Sequence, residues 1–221
     1  MNVRPPMAAG DEFLSVQDAF LQEETKKKGI IELADLKPAS KDSRLYLWQG
    51  DITRLHVDAI TNACNDQMLG CFMPNHGCID NIEHTMAGIQ MRLECNRQME
   101  LQGHAEEVGK CKITPGYNLP AKYVLHTVGP NIRRMLSKEH INALESCYRQ
   151  CLKKADEYGC ESVSFCCIST GVFRFPQNTA AKIAVDTVTE WLNEHPSSTV
   201  QKVVFNVFKD YDRELYAELL K

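Results

Sequence analysis

The alternation of short apolar strands and amphipathic helices after Arg44 predicts a three-layer α/β/α domain with a mixed central sheet. Residues 163–168 form an almost wholly apolar run, as expected for a strand whose two faces are both covered by helices. Residues 1–41 differ from the rest in their sequence pattern, because they have charged helical segments and lack the alternation of strands and helices. We therefore divide the chain into an N-terminal helical extension, residues 1–41, and an α/β domain, residues 42–221.

The composition is that of a globular protein, because 43% of the 221 residues are hydrophobic and 24% are charged. The formal net charge is −4 with acidic and basic residues interleaved, which argues against nonspecific binding to nucleic acid. No run is long enough to span a bilayer, and residues 1–20 lack a secretory signal pattern. Seven of the 10 cysteines are therefore interpreted mainly as buried thiols of a cytoplasmic protein without a membrane partner: Cys95, Cys111, Cys147, Cys151, Cys160, Cys166 and Cys167.

The N-terminal extension is predicted to begin with a frayed arm over residues 1–10 and to continue as an amphipathic helix that ends at Gly29. The apolar stripe of this helix is predicted to be Phe13, Val16, Phe20 and Leu21. A short second helix is expected over residues 30–36, before Pro38. The extension either covers one end of the core or docks a partner, and the sequence leaves both interpretations open.

The α/β domain is predicted to contain six strands and four helices. Strands are expected over residues 45–48, 59–63, 112–117, 123–127, 163–168 and 203–208. The first helix has the apolar stripe Ile82, Met86, Ile89 and Leu93. The second, over residues 138–158, has the inner face Ile141, Leu144, Tyr148, Cys151, Leu152 and Ala155. The last two have the stripes Ala181, Val185, Val188 and Leu192, and Leu215, Leu219 and Leu220.

A group of metal-ligand residues precedes the first of these helices. Cys71, His76 and Cys78 form a C-x4-H-x-C pattern, and zinc takes thiolate and imidazole ligands of this kind. Three protein ligands with an open position are typical of a catalytic zinc, whereas a structural site is normally closed by four. The pattern predicts one Zn²⁺ per chain, and the alternative is a chance grouping of abundant cysteines.

Asp80 follows Cys78 by two residues and has two interpretations. It could be a catalytic carboxylate held next to the metal. Alternatively, Asp80 and Glu83 match a capping box, in which Asp80 accepts hydrogen bonds from the free N–H groups at the start of the helix. The local pattern alone favours the cap, although anions also bind at helix N-termini.

Several polar residues follow predicted strands and could converge on one end of the sheet. These are Asp51, Asn62, Asn65, Asp80 and the loop over residues 169–173. Ligands of α/β sheets bind in the crevice beyond the carboxyl ends of the strands. The loop after Ile168 has small residues directly before a helix, so its backbone N–H groups could hold a diphosphate. An ordinary turn is the alternative.

Five short motifs together resemble the macrodomain family, in the order that this family has them. They are GDIT at residues 50–53, VDAITNACN at 57–65, GYNLPAKY at 116–123, HTVGP at 126–130 and ISTGV at 168–172. The resemblance covers residues 44–221. The insert CFMPNHGC at residues 71–78 stands where most macrodomains have a run of glycines. It resembles the zinc-dependent macrodomains found alongside sirtuin-type ADP-ribosyltransferases in microbes, which strengthens the metal interpretation.

The resemblance implies a role for each matching residue. Asp51 would accept a hydrogen bond from the adenine amino group beside Ile52, and Phe208 would stack on the adenine. The diphosphate would be wrapped by Ser169, Thr170, Gly171, Val172 and Phe173. Arg174 stands where a glycine is usual, and it is either a solvated charge or a cation closing over the diphosphate. Asn65 and Asp80 would hold the distal ribose as the catalytic pair, with Asn62 among the ADP-ribose-binding residues.

The function implied is a zinc-dependent hydrolase that removes mono-ADP-ribose from protein side chains, with Asp/Glu linkages expected. The alternatives are a reader module that binds ADP-ribose without turnover and a deacetylase of O-acetyl-ADP-ribose. The resemblance implies a lipoyl-carrier protein as the modified partner and a functional link to a sirtuin-like ADP-ribosyltransferase. The protein is expected to be a monomer. Glu83 departs from the family, because many macrodomains have an apolar residue before the histidine at position 84.

Overall fold

A computed structural model describes residues 3–221 of the chain. The helices are α1 Asp11–Lys28, α2 Ile79–Ala87, α3 Ile89–Gln102, α4 Lys138–Glu157, α5 Gln177–Glu194 and α6 Asp210–Leu219. The strands are β1 Ile31–Glu32, β2 Leu45–Gln49, β3 Leu55–His56, β4 Ala59–Cys64, β5 Cys111–Pro115, β6 Tyr123–Val128, β7 Ser162–Phe165 and β8 Lys202–Val207. Two short 3-10 turns cover Leu33–Asp35 and Ile52–Arg54.

The central sheet has six strands in the order β2-β8-β7-β4-β6-β5. All neighbouring strands are parallel except β5, which runs antiparallel to β6. On one side, α5 packs against both α4 and α6. On the other side, α2 packs against α1, α3 and β4. The predicted three-layer α/β/α fold with a mixed sheet and an N-terminal helix is therefore confirmed.

The core lies between the sheet and the helices on its two faces. Every residue of β7 is buried, as predicted for a strand covered on both sides. The predicted strand over residues 163–168 is nevertheless too long, because β7 ends at Phe165. Five of the six predicted inner residues of α4 and all four of α5 are buried. In this layer the ring of Tyr148 packs 4.9 Å from that of Phe165, measured between centroids.

The predicted apolar stripe of α1 is wrong, although the helix and its end at Gly29 are confirmed. Of the four stripe residues only Leu21 is buried, whereas Phe13, Val16 and Phe20 are exposed. The helix docks through polar side chains instead. Gln17 accepts a hydrogen bond from the backbone N–H of Ile89 at 3.0 Å and donates one to the Gln90 side chain at 2.7 Å. Specific hydrogen bonds, rather than hydrophobic periodicity, therefore determine which face of α1 is buried.

The helix predicted over residues 30–36 is also wrong. Ile31 and Glu32 instead pair in parallel with Leu55 and His56, and a 3-10 turn follows. Backbone pairing of β1 with β3 therefore attaches the N-terminal extension to the segment that follows β2. This edge pairing involves residues distant in sequence, so a local pattern could not reveal it.

The helix after the cysteine insert differs from its prediction in two ways. Gly88, with φ +98°, separates α2 from α3, and Ile82 of the predicted stripe is exposed. The predicted capping box is wrong, because α2 begins at Ile79 and its N-cap is Cys78, with no capping side chain. Asp80 and Glu83 both point into the protein and are buried. The carboxylate of Asp80 is thereby available for the site described below.

The 10 cysteines are all free thiols, and five of the seven assigned to the interior are buried. Cys111 and Cys167 are partly exposed. Within residues 3–221, no helix is long and apolar enough to cross a membrane.

Candidate functional site

Four adjacent parallel strands, β2, β8, β7 and β4, have their carboxyl ends at one edge of the sheet. Asp51 follows β2, Phe208 follows β8, Ser169 lies in the loop after β7, and Asn65 follows β4 directly. Since neighbouring strands are about 4.8 Å apart, these four positions span about 14 Å. The predicted polar residues therefore lie in one row along the edge of the sheet where the ligand crevice of such a fold is expected.

At one end of the crevice, Asp51 is held by its own turn. Its side chain accepts hydrogen bonds from the backbone N–H and the hydroxyl of Thr53, at 3.1 and 2.6 Å. It also forms an ion pair with Lys28 of α1 at 3.2 Å. The next residue, Ile52, is buried, whereas Phe208 on the neighbouring strand is 77% exposed. An exposed aromatic ring beside an oriented carboxylate is suited to stacking on a base and accepting a hydrogen bond from it.

The loop after β7 exposes backbone donors. Ser169 and Arg174 have positive φ angles of 64° and 59°, which turn the chain sharply before α5. Among residues 3–221, no acceptor forms a hydrogen bond with the backbone N–H groups of Gly171, Val172 and Phe173. Consecutive free N–H groups that precede a helix form an anion-binding concavity. The loop can therefore hold a diphosphate, as predicted for a phosphate loop.

The position of this loop depends on close packing against β6. A Cβ atom added at Gly129 would lie 2.1 Å from the Ser169 hydroxyl oxygen, so only glycine fits at this position. The Phe173 carbonyl accepts a hydrogen bond from the backbone N–H of Ile132 at 2.8 Å. Arg174 and Val172 are exposed on the outer side of the turn. No residue within hydrogen-bond or ion-pair distance of the Arg174 guanidinium is found in the described chain.

The far end of the crevice contains the polar group Asn62, Asn65 and Asp80. Both asparagine side chains donate to the carboxylate of Asp80, Asn62 at 2.8 Å and Asn65 at 3.2 Å. Burial raises the pKa of Asp80 to about 6, although the hydrogen bond from Asn62 and the charge of Arg92 oppose this shift. Two fixed donors therefore orient a carboxyl group whose pKa lies close to neutrality, which suits proton transfer.

The predicted metal ligands come together in the loop before α2. The ligand atoms of Cys71, His76 and Cys78 all lie within 4.8 Å of one another, and Cys71 Sγ is 3.4 Å from His76 Nδ1. In a tetrahedral zinc site with Zn–S bonds of about 2.3 Å and Zn–N bonds of about 2.0 Å, the ligand atoms are about 3.5 Å apart. All three residues are partly exposed. The donor set and its spacing therefore fit one zinc ion with solvent access.

A side chain of α2 and a turn within the loop fix the conformation of the loop that carries Cys71, His76 and Cys78. The Asn81 side chain donates to the Met73 carbonyl at 2.9 Å, and Asn75 turns the chain with φ 55°. Burial raises the pKa of Cys78 to about 11, so without a cation its thiol keeps its proton. A metal ion would stabilise the thiolate instead. Cation binding and thiol deprotonation are therefore coupled at this site.

The sequence analysis assigned no functional role to three buried polar residues near the site. Glu83 is fully buried with no hydrogen-bond partner in the described chain, and burial raises its pKa well above the ordinary 4.5. The Nε2 atom of His84 lies 3.6 Å from Asp80. Arg92 of α3 is 4% exposed. The available signals were the departure from the family at Glu83 and the charge of Arg92 between the apolar residues Met91 and Leu93.

His126, which has no metal-spaced partner nearby in the sequence, belongs to a second group of potential metal-ligating side chains. Its ligand atom lies within 4.8 Å of those of His84 and Cys95, and all three residues are buried. These residues lie far apart in sequence, on β6, α2 and α3. Sequence spacing therefore gave no indication of this second group.

Comparison with known proteins is consistent with this site. The Macro domain model matches residues 61–184. A relative from Staphylococcus aureus strain MSSA476, named protein-ADP-ribose hydrolase, is 54% identical, and the match covers 98% of this chain and 80% of the relative. A protein of the same name from Treponema medium is 52% identical over 100% of this chain and 84% of its own length.

Two solved structures extend the likeness to three dimensions. The Trypanosoma brucei macrodomain in complex with ADP-ribose has a TM-score of 0.78 and 28% identity, covering 97% of this chain and 92% of that one. The Oceanobacillus iheyensis macrodomain with ADP has a TM-score of 0.70 and 33% identity, covering 79% of this chain and 88% of that one. The fold, the family model and the whole-chain relatives agree, and this chain belongs to the macro domain family.

Proposed function

We propose that this chain is a zinc-dependent hydrolase that removes mono-ADP-ribose from aspartate or glutamate side chains of proteins. The enzyme class is confirmed by relatives at 52–54% identity, which are named protein-ADP-ribose hydrolases. The observation that supports the proposed mechanism most directly is that Asp80 accepts hydrogen bonds from Asn62 and Asn65. Asp80 lies two residues after Cys78, the last of the predicted zinc ligands. An oriented carboxyl group two residues from Cys78 in the chain supports a shared role for Asp80 and the proposed zinc ligands.

The crevice provides one region for each part of ADP-ribose. Asp51 and Phe208 would bind the adenine, with Ile52 as the buried floor. The backbone N–H groups of the loop 169–174 would bind the diphosphate through charge-assisted hydrogen bonds. Asn65 and Asp80 would then contact the distal ribose, whose anomeric carbon is bonded to the modified side chain. The spacing of the strand ends supports this order.

The reaction replaces one bond at the anomeric carbon by another. The bond from the anomeric carbon to the side-chain carboxylate of the modified protein breaks, and the carboxylate leaves. The oxygen of a water molecule forms the new bond to the anomeric carbon. As in glycoside cleavage, the transition state carries developing positive charge on the sugar. Asp80 is positioned to accept a proton from the water and to stabilise this charge, while the two asparagine donors fix its orientation.

Cys71, His76 and Cys78 would hold the zinc ion at the mouth of the crevice. Zinc bound there would supply a Lewis acid that lowers the pKa of water or orients oxygens of the substrate. The surrounding residues already exclude bulk water from Asp80, which is only 5% exposed. Removal of the ion should therefore affect the reaction more than the binding of nucleotide.

The alternatives are separated by one experiment. An auto-modified ADP-ribosylated protein is incubated with zinc-loaded enzyme, with chelated enzyme and with Cys71→Ala, and release of labelled ADP-ribose is followed. Rapid release that depends on zinc supports the proposal. Tight ADP-ribose binding without release by zinc-loaded protein would support the reader module instead. Release of acetate from O-acetyl-ADP-ribose without release from protein would support the deacetylase.

We also propose a functional link to an ADP-ribosyltransferase of the sirtuin type, with a lipoyl-carrier protein as the modified substrate. A relative from Fusarium oxysporum supports the link to a transferase, since it is named a probable bifunctional ADP-ribose hydrolase/ADP-ribosyltransferase. It is 42% identical to this chain, which covers 39% of its length. Release of ADP-ribose from a modified lipoyl-carrier protein, compared with another modified protein, tests the substrate assignment.

A further inference from the structure

Arg92 connects the N-terminal arm with the metal loop, defined as residues 70–78. It lies in the first turn of α3 and is 4% exposed. A guanidinium keeps its positive charge under all ordinary conditions, so burial is costly unless nearby groups compensate the charge. The groups around Arg92 therefore indicate what this cation does.

The metal loop packs directly on the guanidinium. The central carbon of this group lies 4.6 Å from the centre of the Phe72 ring, within the range of a cation–π contact. Gly70, with φ +80°, brings the loop backbone close, because a Cβ atom added there would lie 3.2 Å from Arg92 Nη2. Phe72 follows the first predicted zinc ligand, so this contact constrains the start of the cluster.

The charge of Arg92 also faces the anions of the site. Burial lowers the pKa of Arg92, and the charges of Asp80, Cys95 and Cys71 oppose this shift. Cys95 of the same helix and His84 of α2 are further ionisable neighbours of Arg92. With zinc bound, two thiolates and Asp80 carry three negative charges, which Zn²⁺ and Arg92 together balance. A neutral side chain at position 92 would leave one of these charges uncompensated.

The N-terminal arm covers Arg92 from the other side. Nη1 of Arg92 donates to the backbone carbonyl of Arg4. The side chain of Arg4 donates in turn to the Ala8 carbonyl at 3.2 Å and lies 5.6 Å from the centre of the Phe13 ring on α1. The arm is thus folded on α1 and presents a backbone acceptor to Arg92.

We propose that Arg92 is a positioning residue for the zinc site, and that the arm over residues 3–8 holds it against Phe72. The inference rests on the proposed function, because it presupposes zinc at the loop cluster. Arg92 acts through the loop and through Asp80 and does not contact the substrate. The extension then has a part in the chemistry, in addition to covering one end of the core.

The test measures zinc affinity by competition with a chelating dye, in full-length protein. Arg92→Lys keeps the charge and removes the planar group, and Phe72→Leu removes the ring at a partly exposed position. Both variants should bind zinc about tenfold more weakly, with an altered absorption spectrum of the cobalt-loaded form. Arg4→Ala loosens the arm and should weaken zinc binding about threefold.

The matched control is Arg97→Lys on the same helix, where an exposed arginine pairs with Glu94 at 2.7 Å. It should leave zinc affinity unchanged, and the affinity for ADP-ribose should stay within about twofold in all variants. Folded Arg92→Lys and Phe72→Leu proteins with wild-type zinc affinity and cobalt spectra would overturn the inference while leaving the proposed function intact. Unchanged affinity in Arg4→Ala would overturn the role of the arm. A wild-type protein that binds no zinc would overturn both proposals.

Discussion

Two groups of metal-ligating side chains in this chain have similar spacing but opposite surroundings. In both, the ligand atoms lie within 4.8 Å of one another. Cys71, His76 and Cys78 are partly exposed on the loop before α2, whereas the group of His84, Cys95 and His126 is fully buried. Ligand spacing alone therefore does not distinguish a metal site from part of a core.

The buried group is already engaged in the structure of the core. The Nε2 atom of His126 lies 2.9 Å from the Thr114 hydroxyl, and its Nδ1 atom lies 3.2 Å from the Asn62 amide nitrogen. Burial lowers the pKa of His126 to about 3 and raises that of Cys95 well above its ordinary value. A cation would have to displace these hydrogen bonds without access from solvent. Access from solvent, rather than residue type, therefore favours the loop as the proposed metal site.

The largest expected effect comes from a matched pair of cysteine substitutions. Cys78→Ser should abolish zinc binding and lower the rate of ADP-ribose release by about a hundredfold or more, because one of three protein ligands is lost. Cys95→Ala should keep one zinc per chain and the wild-type rate, at a cost of about 1 kcal/mol in unfolding free energy. Metal analysis and label release measure both. Two zinc ions per wild-type chain would contradict the distinction between the groups.

Asp80 is near both the loop cysteines and the buried histidines, so its substitution shows whether it acts in the reaction or in the structure of the core. Asp80→Asn keeps the shape of the side chain but removes its ability to accept a proton. The turnover number should fall about a hundredfold, the effect of losing a general base, while the dissociation constant for ADP-ribose changes little. Steady-state kinetics and calorimetry measure the two quantities. A loss of thermal stability without a selective loss of turnover would assign Asp80 to the buried structure instead.

Phe208 lies at the opposite end of the crevice from the metal loop and tests whether nucleotide binding is independent of zinc. Phe208→Ala should weaken ADP-ribose binding about tenfold, because an exposed ring that stacks on a base is removed. Zinc content should stay at the wild-type value. Equal affinity in wild type and variant would remove the stacking role from this residue.

The smallest expected effect concerns Glu83 on the buried side of Asp80. The pKa of Glu83 is raised in the folded protein, chiefly by burial and then by the charges of Asp80 and Asp51. The folded state therefore keeps a proton that the unfolded chain loses above about pH 4.5, and stability is lost as pH rises. Glu83→Leu should raise the unfolding free energy by about 1–2 kcal/mol at pH 8 and by less at pH 4.

Denaturant unfolding at the two pH values measures this difference. Glu214→Leu on the exposed face of α6 is the control, and it should change stability by less than about 0.5 kcal/mol at either pH. A Glu83→Leu protein that is less stable than wild type at pH 8 would show that the buried carboxyl has a stabilising partner.

The contrast between the two groups also explains which predictions were accurate. Cys71, His76 and Cys78 are separated by only a few residues, so one loop brings them together and their pattern is visible in the sequence. His84, Cys95 and His126 meet only because α2, α3 and β6 pack against one another. The stripe of α1 was wrong for a related reason, since hydrogen bonds of Gln17 to another helix determine its buried face.

The sequence by itself determined the order of the six central-sheet strands along the chain, the division of the fold into three layers and the short motifs near the strand ends. These depend on local periodicity and on residues close together in the chain. Only the tertiary structure decided that Asp80 faces Asn62 and Asn65 instead of capping α2, and that Arg92 joins the N-terminal arm to the metal loop. The physical reason is that burial and charge compensation are properties of the packed chain, because they depend on partners that are distant in sequence.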